Sequence, residues 1–183
     1  MPREFQPFVF VIVGASGDLT TRKLVPALYD LMTRHDELRA CNLVGAARSE
    51  MTDEEFRAEI REALIEHGLS QVELSQWCDE SVFYQSLGPR GDDYEHLASR
   101  IKEIEEAQGL PGNRVFYLAL PPKVFPSAIE ALGAAGLHKT RGWTRLVVEK
   151  PFGQDLDSAR ELNALVHRYF DESQVFRIDH YLG

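Results

Sequence analysis

The sequence predicts an α/β fold: a doubly wound, mostly parallel sheet with helices on both faces, built as a single domain over residues 1–183. Three observations predict it. Short β-branched and aromatic runs alternate with amphipathic segments of helical length, which is the signature of βαβ units with right-handed crossovers. Several of those runs are apolar throughout, as expected for strands covered on both faces. A glycine turn joins the first such run to the first helix.

Phe8 to Val13 is the first strand, and Thr20 to Arg34 a helix on the spacing of Leu24, Ala27, Leu28 and Leu31, with Pro26 expected in its first turn. Asn42 to Ala47 is a second strand, and Thr52 with Glu55 forms a capping box that opens a helix running to about His67. Val82 to Ser86 is a third strand, and a Gly- and Asp-rich loop leads to a helix from Tyr94 to Gln108. After the Pro111-Gly-Asn break, a strand from Arg114 to Leu120 ends at Pro121-Pro122, and a helix follows over Phe125 to Ala135, stopping at Gly136. A strand from Arg145 to Glu149, a helix from Asp155 to Phe170 and a closing strand from Gln174 to Ile178 complete the order.

Composition narrows the partners. A net charge of −9 and a pI near 5.2 argue against nucleic acid and against an anionic membrane surface. A phosphate-bearing ligand must then be met by locally placed cations. The apolar run from Phe8 to Val13 is too short to span a bilayer, and no targeting segment is visible. Cys41 and Cys78 are too few for a disulfide framework or a metal site, so a reducing, cytoplasmic setting is expected. The other histidines, His35, His67, His96, His138 and His167, lack metal-ligand spacing and read as solvent-exposed, and Glu103 to Glu106 as a solvated helix face. Trp77 and Trp143 read as packing residues.

The turn Gly14-Ala-Ser-Gly17-Asp-Leu lies between a buried strand and a helix, the context in which glycines let a backbone approach a phosphate at a helix N-terminus. Its spacing departs from G-x-G-x-x-G, with Ser16 and Leu19 at the second and third glycine positions. Asp18 reads as a helix cap. At the end of the second strand an acidic residue selects the ribose of NAD, whereas an arginine accommodates the 2'-phosphate of NADP. Here Ala46-Ala47 leads into Arg48, and Glu50 nearby keeps NAD open as a weaker alternative. Lys150 stands between Glu149 and Pro151, and Asp179 and His180 lie beyond the last strand, where open sheets bind ligands.

Read together, Gly14-Ala-Ser-Gly-Asp-Leu-Thr-Thr-Arg-Lys-Leu24 with Pro26 and Leu28-Tyr29 resembles the amino-terminal signature GxxGDLxxRKLxPxLY of the glucose-6-phosphate dehydrogenase family. Gly45-Ala-Ala-Arg48, Glu149-Lys-Pro-Phe-Gly153 and Arg177-Ile-Asp-His-Tyr-Leu-Gly183 match further family motifs in the same order. The resemblance implies a Rossmann-type NADP-binding domain. It places Gly14, Ala15, Ser16, Gly17, Asp18, Leu19, Thr20 and Thr21 around the pyrophosphate, Arg48 at the 2'-phosphate, Leu87 and Gly88 near the adenine, and Leu120 and Pro121 at the nicotinamide side. Thr21 stands where the family often carries a basic residue. Lys150 is placed between cofactor and sugar, His180 and Tyr181 at glucose 6-phosphate, and Asp179 where it orients a general-base histidine.

In the family that histidine, and the surface through which the enzymes homo-oligomerise, belong to a second domain downstream. The resemblance therefore implies that this chain is a truncated form with a cofactor site, part of a substrate site and no general base, and that an apolar sheet face is left where the second domain docks. A stand-alone NADP-binding module is the alternative reading.

Overall fold

The structure, a computed structural model, describes residues 5–150 and 155–179, with backbone alone for 71–73. Its centre is β1 (Val9–Val13), whose ladder pairs Val9–Val13 with Asn42–Ala46 of β2 (Asn42–Ala47) on one side and with Arg114–Leu118 of β4 (Arg114–Leu118) on the other, both parallel. Beyond them lie β3 (Val82–Ser86), β5 (Thr144–Glu149) and β6 (Val175–Ile178), all parallel, in the order β3-β2-β1-β4-β5-β6. The first helix of the fold crosses from β1 to β2, whereas the chain returns from β3 to β4 on the far side of β1. The strand order reverses there, which opens a crevice beyond the carboxyl ends of β1 and β4.

Alternate residues of the central strand feed two cores. Val9, Val11 and Val13 pack with α4 (Tyr94–Ala107), α5 (Phe125–Ala134) and α6 (Leu156–Val166), through Leu97, Ile101, Ile129, Leu132 and Val166. Ile12 faces the other way, toward α1 (Val25–Arg34), α2 (Asp53–Glu66) and α3 (Gln71–Ser81), through Val25, Met32, Phe56, Ile60 and Trp77. Phe56 seats its ring on Gly45 of β2, where a Cβ would lie 2.4 Å from the ring tip. On the β5–β6 part of this second face, Arg145 stacks 4.3 Å from the Trp143 ring and 5.6 Å from that of Phe176, which remains 43% exposed.

The capping box of α2 forms as expected, with Thr52 N–H donating to Glu55 Oε2 at 2.7 Å and Glu55 N–H to Thr52 Oγ1 at 3.2 Å. Other expectations are corrected. Helical backbone begins at Asp18 rather than Thr20, although Pro26 does stand in the first turn of α1 itself. A π-helical stretch over Thr20–Leu24 precedes it, with Val25 N–H donating five residues back to Thr20. Proline offers no N–H to Arg22 and its ring crowds that carbonyl, and the wider turn accommodates both. Helix α3 has no counterpart in the sequence reading, β4 stops at Leu118 rather than Leu120, and α6 stops at Val166 rather than Phe170.

Glu105 does not lie on a solvated face. It is 5% exposed and accepts two hydrogen bonds from Arg114, at 2.7 and 2.8 Å, pinning the start of β4 to α4. His138 is likewise not simply exposed, because its ring packs at 5.3 Å against Tyr169 and 6.2 Å against Phe170, and partial burial lowers its pKa. Trp77 is buried edge-on against Tyr29. Cys41 and Cys78 are buried, and burial pushes both thiols up to about 11. Among the described residues no helix is long and apolar enough to cross a membrane, and no cluster of three metal-ligating side chains occurs.

Candidate functional site

The glycine turn begins directly after the last residue of β1, and its geometry follows from close packing. Gly14 has φ +96°, and a Cβ there would lie 2.3 Å from the Ala119 carbonyl oxygen, so β1 and the segment after β4 approach as only glycine permits. The Gly14 and Ala15 amides both donate to the Ala46 carbonyl, at 2.7 and 3.1 Å, tying the turn to β2. Gly17 N–H donates to Gly14 and Thr20 N–H to Gly17. First-turn amides of a helix that lack an intrahelical acceptor are the donors such a turn offers an anion. The turn is thus divided: its start holds the sheet together, and Ser16 and Gly17 are exposed beyond it.

Around it lies a cleft of about 550 Å³, formed where β1, β2, β3 and β4 end. Gly14, Ser16 and Gly17 line it from the turn, Arg48 from the end of β2, Leu87 from the end of β3, and Leu120 and Pro121 from the segment after β4. These seven expected residues, drawn from four separate stretches of chain, therefore meet in one place. Three that the sequence reading missed join them: Arg90 and Gly91, from the β3–α4 turn, and Lys123, from the single 3₁₀ turn Pro122–Val124. None of the described residues lining the cleft is acidic, so Arg48, Arg90 and Lys123 make it cationic within a chain of net charge −9. Tyr94, 3% exposed, is among its lining residues and keeps its hydroxyl neutral, because burial raises its pKa.

The remaining expected residues lie elsewhere. Ala15 and Thr20 are buried beneath the turn, at 1% and 0% exposed. Asp18 makes no cap: it sits inside the first helical turn and pairs at 3.3 Å with Arg22, four residues on, on the solvent side. Leu19 is half-buried, and the Thr21 hydroxyl reaches back to the Asp18 carbonyl at 3.4 Å. Gly88, at φ +69°, lines an adjoining cleft with Arg90 and Tyr94. Glu50 accepts a hydrogen bond from the Ser86 hydroxyl at 3.2 Å.

Lys150 and Asp179 form a second group, at the ends of β5 and β6. Lys150 N–H donates to the Ile178 carbonyl at 3.0 Å, extending the ladder by one bond, and its ammonium donates to Asp179 Oδ2 at 3.1 Å. One residue earlier, the Tyr117 hydroxyl donates to Glu149. Burial, reinforced by this bond, raises the Tyr117 pKa, so the phenol stays protonated. His180 and Tyr181, and the Pro151–Gly153 part of the Glu149–Gly153 motif, lie outside the described residues.

Comparison with known proteins places this geometry. Residues 11–183 match the family model described as "Glucose-6-phosphate dehydrogenase, NAD binding domain". The chain is 43% identical over 94% of its length to the glucose-6-phosphate 1-dehydrogenase of Aggregatibacter actinomycetemcomitans, and 40% identical over its whole length to glucose-6-phosphate 1-dehydrogenase 2 of Mycobacterium bovis. It spans 35% and 37% of those two proteins. A solved glucose-6-phosphate dehydrogenase in complex with its substrate glucose 6-phosphate superposes over the whole chain with a TM-score of 0.83 at 35% identity, and the chain covers 38% of it.

Proposed function

The chain belongs to the glucose-6-phosphate dehydrogenase family, and from that premise we propose that it supplies the cofactor layer of an enzyme that oxidises β-D-glucose 6-phosphate at C1 to 6-phosphoglucono-1,5-lactone, with NADP+ as hydride acceptor. That reaction opens the oxidative pentose phosphate pathway and fits a cytoplasmic setting. The observation that carries the reading is the cationic cleft at the strand-order reversal, where the Gly14–Gly17 turn, Arg48, Leu120 and Pro121 converge.

The donor set fits a phosphorylated dinucleotide. A helix N-terminus reached through a glycine turn suits a pyrophosphate, and the Arg48 guanidinium, directly after β2, suits the additional phosphate of NADP. Glu50, two residues beyond Arg48 and the residue that kept NAD open, is engaged by the Ser86 hydroxyl. Leu120 and Pro121 give the nicotinamide side an apolar wall that excludes water. When bound, the nicotinamide accepts the two electrons that leave C1 with its hydrogen.

The residues of this chain then position the sugar. Lys150, held by the β6 backbone and by Asp179, presents a cation at the crevice rim, with His180 and Tyr181 assigned to the sugar phosphate. Asp179 is assigned to orient the general-base histidine, which comes from outside these 183 residues. Proton removal from the C1 hydroxyl belongs to that histidine, whose near-neutral pKa suits the task. Two experiments on the 183-residue chain test the reading. Calorimetry should detect NADP+, and glucose-6-phosphate-dependent reduction of NADP+, followed by absorbance, should fall far below that of the longer relatives; turnover at their level would refute the assignment of the base. Failure to bind either nicotinamide dinucleotide would refute the cofactor layer itself.

A further inference from the structure

We propose that Arg90, on the turn between β3 and α4, is a second determinant of cofactor choice, binding the same 2'-phosphate as Arg48; this rests on the reading of the cleft as a NADP site. Position comes first. In the strand order β3-β2-β1-β4-β5-β6, β3 adjoins β2, so the turn leaving β3 stands beside the residue leaving β2. Arg48 and Arg90 line the same cleft from these neighbouring ends, whereas Lys123 enters from the β4 side.

The turn touches Arg48 directly. A Cβ on Gly91 would come within 2.9 Å of Arg48 Cγ and 3.1 Å of its Cδ, so the arginine stem runs across the backbone next to Arg90. That backbone is well defined. Gly91 N–H donates to Gly88 at 2.9 Å, Asp93 N–H donates to Leu87 at 3.1 Å, and Asp93 also caps α4. The positive φ angles of Gly88 and Gly91 fold the segment back toward the cleft.

Two guanidinium groups at one rim repel each other, and Arg90 is held meanwhile by Asp92, its Nε 3.1 Å from the carboxylate. Both partners are mostly exposed, at 85% and 57%, so this pair is weak and screened. A phosphate with nearly two negative charges outcompetes one carboxylate for a planar, bidentate donor. Asp92 therefore holds the arginine at the rim until the 2'-phosphate replaces it. Arg48 has no acceptor of its own among the described residues, which leaves its full donor fork for the same group.

Calorimetric titration of NADP+ and NAD+ into the wild-type chain, Arg90→Gln, Arg48→Ala and the double variant tests this. Arg90→Gln should weaken NADP+ about tenfold while NAD+ stays within about twofold, as loss of one charge-assisted contact to a group present only in NADP+ requires. The double variant should lose less than the product of the single losses, because both arginines hold one phosphate. Equal weakening for both cofactors, or an unchanged NADP+ affinity, would overturn the assignment. A preference abolished by Arg48→Ala but kept by Arg90→Gln removes Arg90 alone, whereas a wild-type chain without preference removes the NADP reading beneath it.

Discussion

Arg48 lies across Gly91, two residues on different strand-end segments in contact, with the arginine stem filling the space a Cβ on Gly91 would need. The cation to which we assign the 2'-phosphate of NADP is thus aimed by the backbone of the neighbouring turn, and several consequences follow from that relationship and from the packing around it.

Gly91→Ala should act on Arg48 at a distance. The new methyl meets the arginine at 2.9 Å and the backbone keeps φ +71°, which costs an alanine roughly 1 kcal/mol. NADP+ affinity should fall by about three- to tenfold, an effect of 0.6 to 1.4 kcal/mol on the usual scale, with NAD+ nearly unchanged. Calorimetry on both cofactors checks it.

Gly14→Ala should be more severe and less selective. Its Cβ would fall 2.3 Å from a main-chain oxygen that cannot swing away, at φ +96°. Separation of β1 from the segment after β4 is expected to cost roughly 2–3 kcal/mol, read as a lower urea midpoint, and to weaken both dinucleotides together.

The Glu105–Arg114 pair gives a stability test away from the site. Glu105→Ala leaves a nearly buried guanidinium without its acceptors and should destabilise the chain by roughly 3–5 kcal/mol, whereas Glu105→Leu with Arg114→Met should recover most of that loss. Denaturant titration of the three chains decides it. A single variant within about 0.5 kcal/mol of wild type would contradict the pair's structural role.

The two thiols give a pH dependence. Burial raises Cys41 and Cys78 from 9.0 to about 11, so the folded chain holds these protons where the unfolded chain has begun to lose them. Their contribution is fully present below pH 9.0 and declines as pH rises from there through about 11. Alkylation at pH 8 should be slow in the native chain and fast for both cysteines in urea.

Much of the fold was legible because strong local signals agreed: six expected strands form one parallel sheet, and the Thr52–Glu55 capping box formed as its spacing implied. Helix α3 escaped because its buried apolar face among the described residues is Leu74, Trp77 and Cys78, a single i, i+3, i+4 group beside polar residues. Glu105 was misread since burial of a charged residue depends on a partner nine positions away, at the start of a different element. At the site, the glycine turn and Arg48 were marked by motif, but Arg90 and Lys123 belong to turns whose orientation only the assembled sheet determines. The dense Gly and Asp of Leu87–Asp93 was the available hint, because a turn built to bend back must bring something to the crevice.

The most direct test of the account compares NADP+ and NAD+ binding by the wild-type chain and by Arg48→Ala. Wild type should bind NADP+ more tightly, and the variant should lose most of that preference through weaker NADP+ binding with NAD+ held nearly constant. Equal affinities in the wild-type chain, or a preference that survives Arg48→Ala intact, would contradict it.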